Sequence, residues 1–394
     1  MNILCITPWF PRNDHEQYGN FILDSVEALS QLGHEVTVLV TEPFRPGFAG
    51  MILKEWKKKK RFSNEILTQF NVHHCRYLSI PRNYFISFSN WAYRKRVVAV
   101  AEKLLAQNKF DLIHAHAELS GVAAVDLQKK FHIPTAITLH GVSTEKKFYK
   151  GRTRKIYYDY AASLAARLIL VGEPLLNFIE PLCKRSDHIR IVSNGFRLSP
   201  LHKNTSKKSL NETKKFISVS NLIEGKGIEI NLQALAKLKK VGISSWHYTI
   251  IGDGPDAQKL KKLAHDLDLN EHVQFIGQCD HDKVYEYLNE SDIFMLPSYR
   301  EAFGIAYIEA MSLGLLTIAV EGQGPSSFIE HGFTGLLVKP RDSEALFTCL
   351  NIIFDNKENV MEIAERGRQY VLSNYTWRHH AQSLEKIFME MINE

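Results

Sequence analysis

The sequence predicts an α/β protein made of two doubly wound parallel sheets. Short apolar, β-branched runs alternate with segments of helical period, the pattern that gives parallel sheets covered by helices. The alternation breaks off in a polar stretch near residue 200 and then restarts. The 394 residues also exceed what one ordinary core holds, and favour two domains of ~150–200 residues each.

Taken in order, Asn2 to Thr7 reads as a strand, followed by a polar loop from Pro8 to Gly19. Ile22, Val26, Leu29 and Leu32 then recur at helical spacing, and Gly33 stands where a helix stops. Glu35 to Val40 is the next strand, which completes a right-handed βαβ unit. A helix from Trp91 to Gln107, a strand over Leu112-Ile113-His114, a helix from Gly121, and strands Thr135 to Leu139 and Arg167 to Val171 continue the cycle. Phe196 to Thr213 is polar and without period, which reads as a linker. Beyond it come strands Phe216 to Ser220, Tyr248 to Ile251, Val273 to Ile276, Ile293 to Leu296 and Leu316 to Ala319. Helices Ile228 to Lys239, Asp256 to Leu267, Lys283 to Leu288 and Ile305 to Ser312 alternate with them. A last helix follows Thr376-Trp377.

Composition narrows the function. Hydrophobic residues make up 45% and charged residues 23%, ordinary for a globular chain. No uncharged apolar run reaches the ~20 residues of a membrane helix, and the start has no basic region of the kind that opens a signal peptide. Five cysteines in no CxxC spacing argue against a disulfide framework or a zinc knuckle, so a reduced cytoplasmic setting is expected. The net charge of +6 is uneven: Met1 to Gly195 holds 27 basic and 17 acidic residues. The surplus clusters in Lys54 to Arg61 and Lys146 to Lys155, both with aromatics. Such runs suit phosphate groups on an anionic membrane, although a merely solvated face gives the same composition. Nothing resembles a groove-reading or base-stacking module, so no nucleic-acid partner is expected.

Gly252-Asp253-Gly254-Pro255-Asp256-Ala257 matches GxGxxA, but on the second strand of its domain, where a dinucleotide fingerprint does not belong. Asp280 and Asp282 read as a helix cap, Asp266 and Asp268 as a helix's polar end, rather than as metal ligands; no metal and no cofactor is expected. No GxxxxGK[ST] run is present. The informative stretch is Pro297-Ser298-Tyr299-Arg300-Glu301-Ala302-Phe303-Gly304, followed by Glu309-Ala310-Met311. Glu301 precedes a helix and Glu309 sits on it, ~12 Å further along the axis. Free N–H groups near Gly304 can receive a diphosphate, with one carboxylate beyond each end. That arrangement suits a nucleotide diphosphate sugar, which carries hydroxyls at both ends. A lone buried Glu309 would need partners, because an unpaired carboxylate costs several kcal/mol.

In the context PSxxExFGxxxxEAM, these residues resemble the E-x7-E signature of the family-4 retaining glycosyltransferases, whose fold is GT-B, two Rossmann-like domains facing a central cleft. The resemblance extends over Tyr18-Gly19-Asn20-Phe21, Gly33-His34-Glu35-Val36, Asp111 to His116, Thr138 to Gly141, Ser193-Asn194-Gly195, Ser218 to Leu222, Lys226-Gly227, Ile251 to Pro255, Phe275 to Gln278 and His331 to Val338. It implies an acceptor-binding N-terminal domain over 1–195, joined by a crossover helix at 376–394. A linker over 196–213 and a donor-binding domain over 214–375 complete the organisation. It implies that Gly19 lets the backbone approach the donor diphosphate and that Lys226 neutralises it. Glu309 would bind the ribose and Glu301 the donor sugar. Backbone at Phe303, Gly304 and Ile305 would line phosphate and sugar, and Gln278 and Cys279 the base. His140 would lie at the reacting centre and His116 near the acceptor, where an ordinary polar strand-end residue is the alternative. Asn221, after Ser220, stands where the family often has an arginine, which leaves Lys226 as the diphosphate cation. Ser326 and Ser327 follow Gly322 to Pro325 where the family often has a glutamate.

The expectation is therefore a hexosyltransferase with retention of anomeric configuration, independent of metal and without a cofactor. It would move sugar from a nucleotide diphosphate sugar, expected to be a UDP-sugar, to a hydroxyl of a glycan or lipid-linked glycan in polysaccharide or glycolipid assembly. It would work in the cytoplasm, with peripheral attachment to the inner face of an anionic membrane. A GT-B nucleotide-sugar epimerase and a non-catalytic sugar-nucleotide or glycan-binding protein are the alternatives; a phosphorylase would need a cofactor lysine, for which there is no signal.

Overall fold

A computed structural model describes residues 1–11, 18–44, 69–79, 86–141, 155–203, 212–355 and 357–394. The two basic runs, apart from Lys155, lie outside the described residues, as does 204–211 of the expected linker. The chain divides into two compact units. Unit 1 comprises Met1–Val171, Leu175–Ser193 and His380–Glu394; unit 2 comprises Gly172–Pro174 and Asn194–His379.

Unit 1 contains β1 (Asn2–Thr7), α1 (Asn20–Gln31), β2 (Glu35–Phe44), β3 (Asn71–Leu78), α2 (Ile86–Gln107), β4 (Leu112–His116), α3 (Glu118–Phe131), β5 (Thr135–Leu139), β6 (Arg167–Leu170), most of α4 (Glu173–Ile179) and β7 (Ile189–Ile191). Its sheet runs in the order β3-β2-β1-β4-β5-β6-β7, and every pairing is parallel. β1 is covered on both faces, which is why Ile3, Leu4, Cys5 and Ile6 form a continuous apolar run instead of alternating. The strand order reverses between β1 and β4, so the loops after these two strands diverge. Helix α1 ends as expected: Gly33 has φ +89 and its N–H donates to Ser30 O at 2.9 Å.

Unit 2 contains β8 (Lys214–Val219), α5 (Ile228–Lys240), β9 (Trp246–Ile251), α6 (Ala257–Asp266), β10 (Val273–Gly277), α7 (His281–Asn289), β11 (Ile293–Met295), α8 (Ile305–Ser312), β12 (Leu316–Val320), β13 (Leu336–Val338), α9 (Ser343–Asp355) and α10 (Lys357–Asn374). Its parallel sheet has the order β10-β9-β8-β11-β12-β13 and reverses between β8 and β11. A buried polar knot sets the position of α5. Asn231 Nδ2 donates to Tyr248 Oη at 2.7 Å, Met295 O at 3.1 Å and Ser218 Oγ at 3.2 Å, which binds the helix to β8, β9 and β11. The GxGxxA segment has a structural use: a Cβ at Gly252 would lie 1.8 Å from Ser220 O, and one at Gly254 2.4 Å from Leu222 O. These glycines let the β8 and β9 loops touch. The last helix, α11 (Trp377–Asn393), begins in unit 2, and from His380 onward it packs in unit 1. There Leu384 and Phe388 are fully buried, and Arg167 pairs with Glu394.

The structure departs from the sequence expectation in several elements. Strands β3, β7 and β13 and helices α4, α9 and α10 were not anticipated at these positions. Helix α3 starts at Glu118 rather than Gly121, because Ala117 turns the chain sharply with φ 73 and ψ 159. Asp280 occupies the N-cap position of α7, yet its side chain makes no capping bond.

Candidate active site

In unit 2 the expected donor residues gather at the C-terminal ends of the strands, around the β8/β11 reversal, the usual ligand position in an open α/β sheet. Lys226 closes a short 3₁₀ turn (Glu224–Lys226) after β8. The loop after β11 is fastened to that turn: Ser298 Oγ and Tyr299 N both donate to Gly225 O at 3.1 Å. The approach is close enough that a Cβ at Gly227, where φ is +70, would sit 2.3 Å from Pro297 O. Lys226 Nζ consequently donates to Glu301 Oε2 at 2.7 Å, both side chains being largely buried. The loop after β12 braces Glu301 from behind. Glu301 N donates to Gln323 Oε1 at 3.1 Å, and Gly324 N donates to Glu301 O at 2.9 Å.

Gly304 caps α8 with φ +96, and a Cβ there would meet the Tyr307 ring at 2.5 Å. The Phe303 side chain is core, packed on Phe328 and Tyr375, so only its backbone remains for a ligand. With Ile305 it opens the helix N-terminus towards the Glu301 loop. Glu309, one face further along α8, is 7% exposed. Its carboxylate is satisfied by a residue that the sequence reading missed: His281 Nε2 donates to Glu309 Oε1 at 2.9 Å. His281 is the first residue of α7, just after Gln278 and Cys279, so one turn supplies both expected base contacts and the partner of Glu309. Asn221 is exposed at the end of β8, whereas the neighbouring Ser220 Oγ is buried without a partner. Ser326 Oγ and Ser327 Oγ donate to the carbonyls of Val320 and Gly324.

Unit 1 brings together Gly19, His116 and His140. Gly19, with φ +89, packs so closely that a Cβ would lie 2.5 Å from Phe10 N and 2.7 Å from Trp9 C. The Trp9 and Phe21 rings lie 5.8 and 4.7 Å from the His140 ring. His116 Nδ1 and His140 Nε2 are hydrogen-bonded at 2.9 Å, and their rings stack. His116 is 2% exposed, behind His140. Two further histidines complete the cluster. His114 Nε2 bonds Thr138 Oγ1 at 2.8 Å, while His380 from α11 bonds Ser193 O through Nδ1 at 2.7 Å and Ser25 Oγ through Nε2 at 2.9 Å. Burial, aided by the neighbouring imidazoles, pushes His114 and His140 down to about 3. Burial takes His380 to about 4, and His116 lies well below its ordinary value. The cluster is therefore neutral at pH 7: His140 can donate or accept a hydrogen bond but does not act as a standing cation. The sequence reading missed His114 and His380: the H-x-H alternation in β4 puts His114 on the strand face of His116, whereas His380, far along the chain, gave no sequence signal.

Among the described residues no helix is long and apolar enough to cross a membrane, and no three His, Cys, Asp or Glu side chains are grouped to hold a metal.

Residues 19–200 match the model of glycosyltransferase family 4, and residues 202–370 that of glycosyl transferases group 1. A Bacillus subtilis glycosyltransferase named for teichuronic acid biosynthesis, TuaC, is 29% identical over 364 residues, spanning 88% of this chain and 87% of its own. Sucrose-phosphate synthase from Thermosynechococcus elongatus has the same fold at TM-score 0.76 and 19% identity, with both chains covered in full. HepE of Anabaena, solved with UDP and glucose, superposes at TM-score 0.72 and 17% identity over 99% of this chain and 100% of its own. With the two family models meeting end to end along the sequence, the chain is an enzyme of the family-4 glycosyltransferases, with the GT-B fold.

Proposed function

We propose that this enzyme transfers a hexose from a nucleotide diphosphate sugar, with UDP as the nucleotide, to a hydroxyl of a glycan or lipid-linked glycan, with retention at the anomeric carbon. The observation that carries the proposal is the Lys226–Glu301 pair beside the N-terminus of α8, at the strand-order reversal of unit 2. A cation, free helix N–H groups and a carboxylate grouped in this way suit a diphosphate joined to a sugar. Glu309, oriented by His281, takes the ribose hydroxyls, and the turn at Gln278 and Cys279 takes the base. Asn221 borders the same strand end.

During transfer the bond from the anomeric carbon to the diphosphate breaks. The acceptor oxygen bonds to that carbon on the same face, and the acceptor's proton passes to the departing phosphate oxygen. Charge gathers on the diphosphate, where Lys226 and the α8 N–H groups stabilise it, the kind of electrostatic help that is often the largest catalytic contribution. These groups supply the positive charge without calling for a metal or a cofactor. In unit 1, His116 holds the tautomer and ring plane of His140, which with Gly19 keeps the role that the family resemblance implies. A polymer-building acceptor agrees with the name of the B. subtilis relative, and UDP with the ligand named for HepE. The surplus of basic residues before Gly195 favours an acceptor carried on an anionic membrane face.

The test is a panel of UDP-, GDP- and ADP-sugars incubated with the protein, followed by NMR of the sugar released or transferred. A first-formed product with the donor's anomeric configuration supports the reading. Inverted product, or no turnover of any donor, refutes it.

A further inference from the structure

Lys226 and Glu301 are assigned to different parts of one donor, the diphosphate and the sugar, yet without a donor they neutralise each other. Among the described residues neither the ammonium nor the carboxylate has another hydrogen-bond partner, and both side chains are largely buried, at 20% and 13% exposure. The Gly225 and Gln323 contacts fix both backbones, so the two groups meet whenever nothing lies between them. A bound donor has to open the pair. An intact sugar nucleotide compensates both halves, since its phosphate oxygens take Lys226 and its sugar hydroxyls take Glu301. The nucleoside diphosphate left after transfer compensates only Lys226. Glu301 is then buried, unpartnered and close to the phosphate charge, a state that is costly to maintain.

We infer that Glu301 is a product-releasing residue as well as a sugar contact: once the sugar has gone, it recaptures Lys226 and displaces the nucleoside diphosphate. This inference rests on the donor reading above. Glu301 thereby discriminates between substrate and product of the same site, because the carboxylate rewards the presence of a sugar and penalises its absence. A residue that served only to shape the loop would weaken both ligands together when altered. A product-releasing carboxylate makes the opposite prediction for the product.

The experiment is calorimetric titration of UDP, GDP and ADP into the wild type, Glu301→Gln, Lys226→Ala and the double variant, each checked for an unchanged melting temperature. Glu301→Gln should bind the preferred nucleoside diphosphate about tenfold more tightly, the effect of removing one charged competitor for the lysine. Its inhibition constant for that product should fall in parallel, while the intact sugar nucleotide binds no better than to the wild type. With Lys226 already Ala, Glu301→Gln should gain much less. If Lys226→Ala weakens the nucleotide but Glu301→Gln binds it equally or more weakly than the wild type, the product-release role is wrong and the donor assignment stands. If Lys226→Ala leaves all three affinities unchanged, or none of the three binds the wild type, the donor assignment itself fails. A Glu301→Gln protein with a lowered melting temperature leaves the inhibition constant as the readout, and an unchanged constant overturns the role.

Discussion

Unit 1 should lose stability steeply between pH 7 and pH 5 because of its neutral histidines. His114 and His380 are 2% and 6% exposed, with folded values of about 3 and about 4. In the unfolded chain a histidine titrates near 6.5. A histidine depressed on folding binds fewer protons folded than unfolded, so stability is fully present above 6.5 and is lost as the pH falls below it. Between pH 7 and pH 5 each of these two groups gives up about 2 kcal/mol, or about 4 kcal/mol together. That is a large part of the ~5–15 kcal/mol that holds an ordinary domain together. For a unit of this size it corresponds to a drop of roughly 8–16 °C in melting temperature. His116 and His140 act in the same direction. Glu118, whose carboxyl burial raises, acts in the opposite one. Differential scanning calorimetry across this range measures the drop. His380→Gln, which keeps polar atoms but cannot be charged, should recover roughly half of the 4 kcal/mol due to the pair. A wild-type transition unmoved by acid, or an equal drop in His380→Gln, would refute the argument that this buried cluster carries the proton linkage.

Three other outcomes follow from the same geometry. His281→Ala should weaken nucleotide affinity about tenfold or more by removing the hydrogen bond that orients Glu309, with little change in turnover at saturating donor, and His281→Gln should restore most of the affinity. Glu309→Gln should likewise weaken nucleotide binding, whereas Glu301→Gln should cut turnover without weakening it; turnover lost in Glu309→Gln and nucleotide binding weakened in Glu301→Gln, measured by calorimetry and steady-state kinetics, would mean that the donor lies in the opposite direction. Deleting residues 376–394 removes Leu384, Phe388 and Met391 from the core of unit 1, so its melting transition should fall or vanish, and an unchanged melting curve would count against the crossover. Sedimentation with anionic vesicles should show binding that weakens with salt and is lost when Lys57, Lys58, Lys59 and Lys60 become Ser; no partition at low salt would remove the main reason for a lipid-linked acceptor.

The sequence was most readable where a chemical punctuation mark bounded an apolar run. Helix α8 was predicted at its observed limits because Gly304 and the polar loop before it leave no other start, and β1 because a run covered on both faces is continuously apolar. Edge and near-edge elements were missed for the converse reason. β3 (NVHHCRYL) has a neighbour on one side only among the described residues and carries three exposed polar residues among eight, Asn71, His74 and Arg76. β7 and β13 are three residues each. At the site, residue types were legible but their partners were not. Glu309 called for a partner, and nothing in a run reading Asp-His-Asp identifies His281 as the one. Lys226 and Glu301 were read as separate contacts because 75 residues divide them; only the fastening of both loops at Gly225 makes them one pair.

The placement of His380–Glu394 in unit 1 has a consequence for how the protein is made. A ribosome delivers residues 1–193 first, then the 186 residues from Asn194 to His379, and only then the segment that closes the first unit. At ~5–20 residues per second, the intervening stretch takes about 10–40 s to synthesise. Over that interval Ser25, His114 and the Ser193 carbonyl have no Phe388 or His380 to cover them, while unit 2 emerges with its sheet entire in one stretch of sequence. The later-made half is therefore the first to be complete in sequence, and over that interval the earlier half lacks the apolar side chains of Leu384 and Phe388 that close its core.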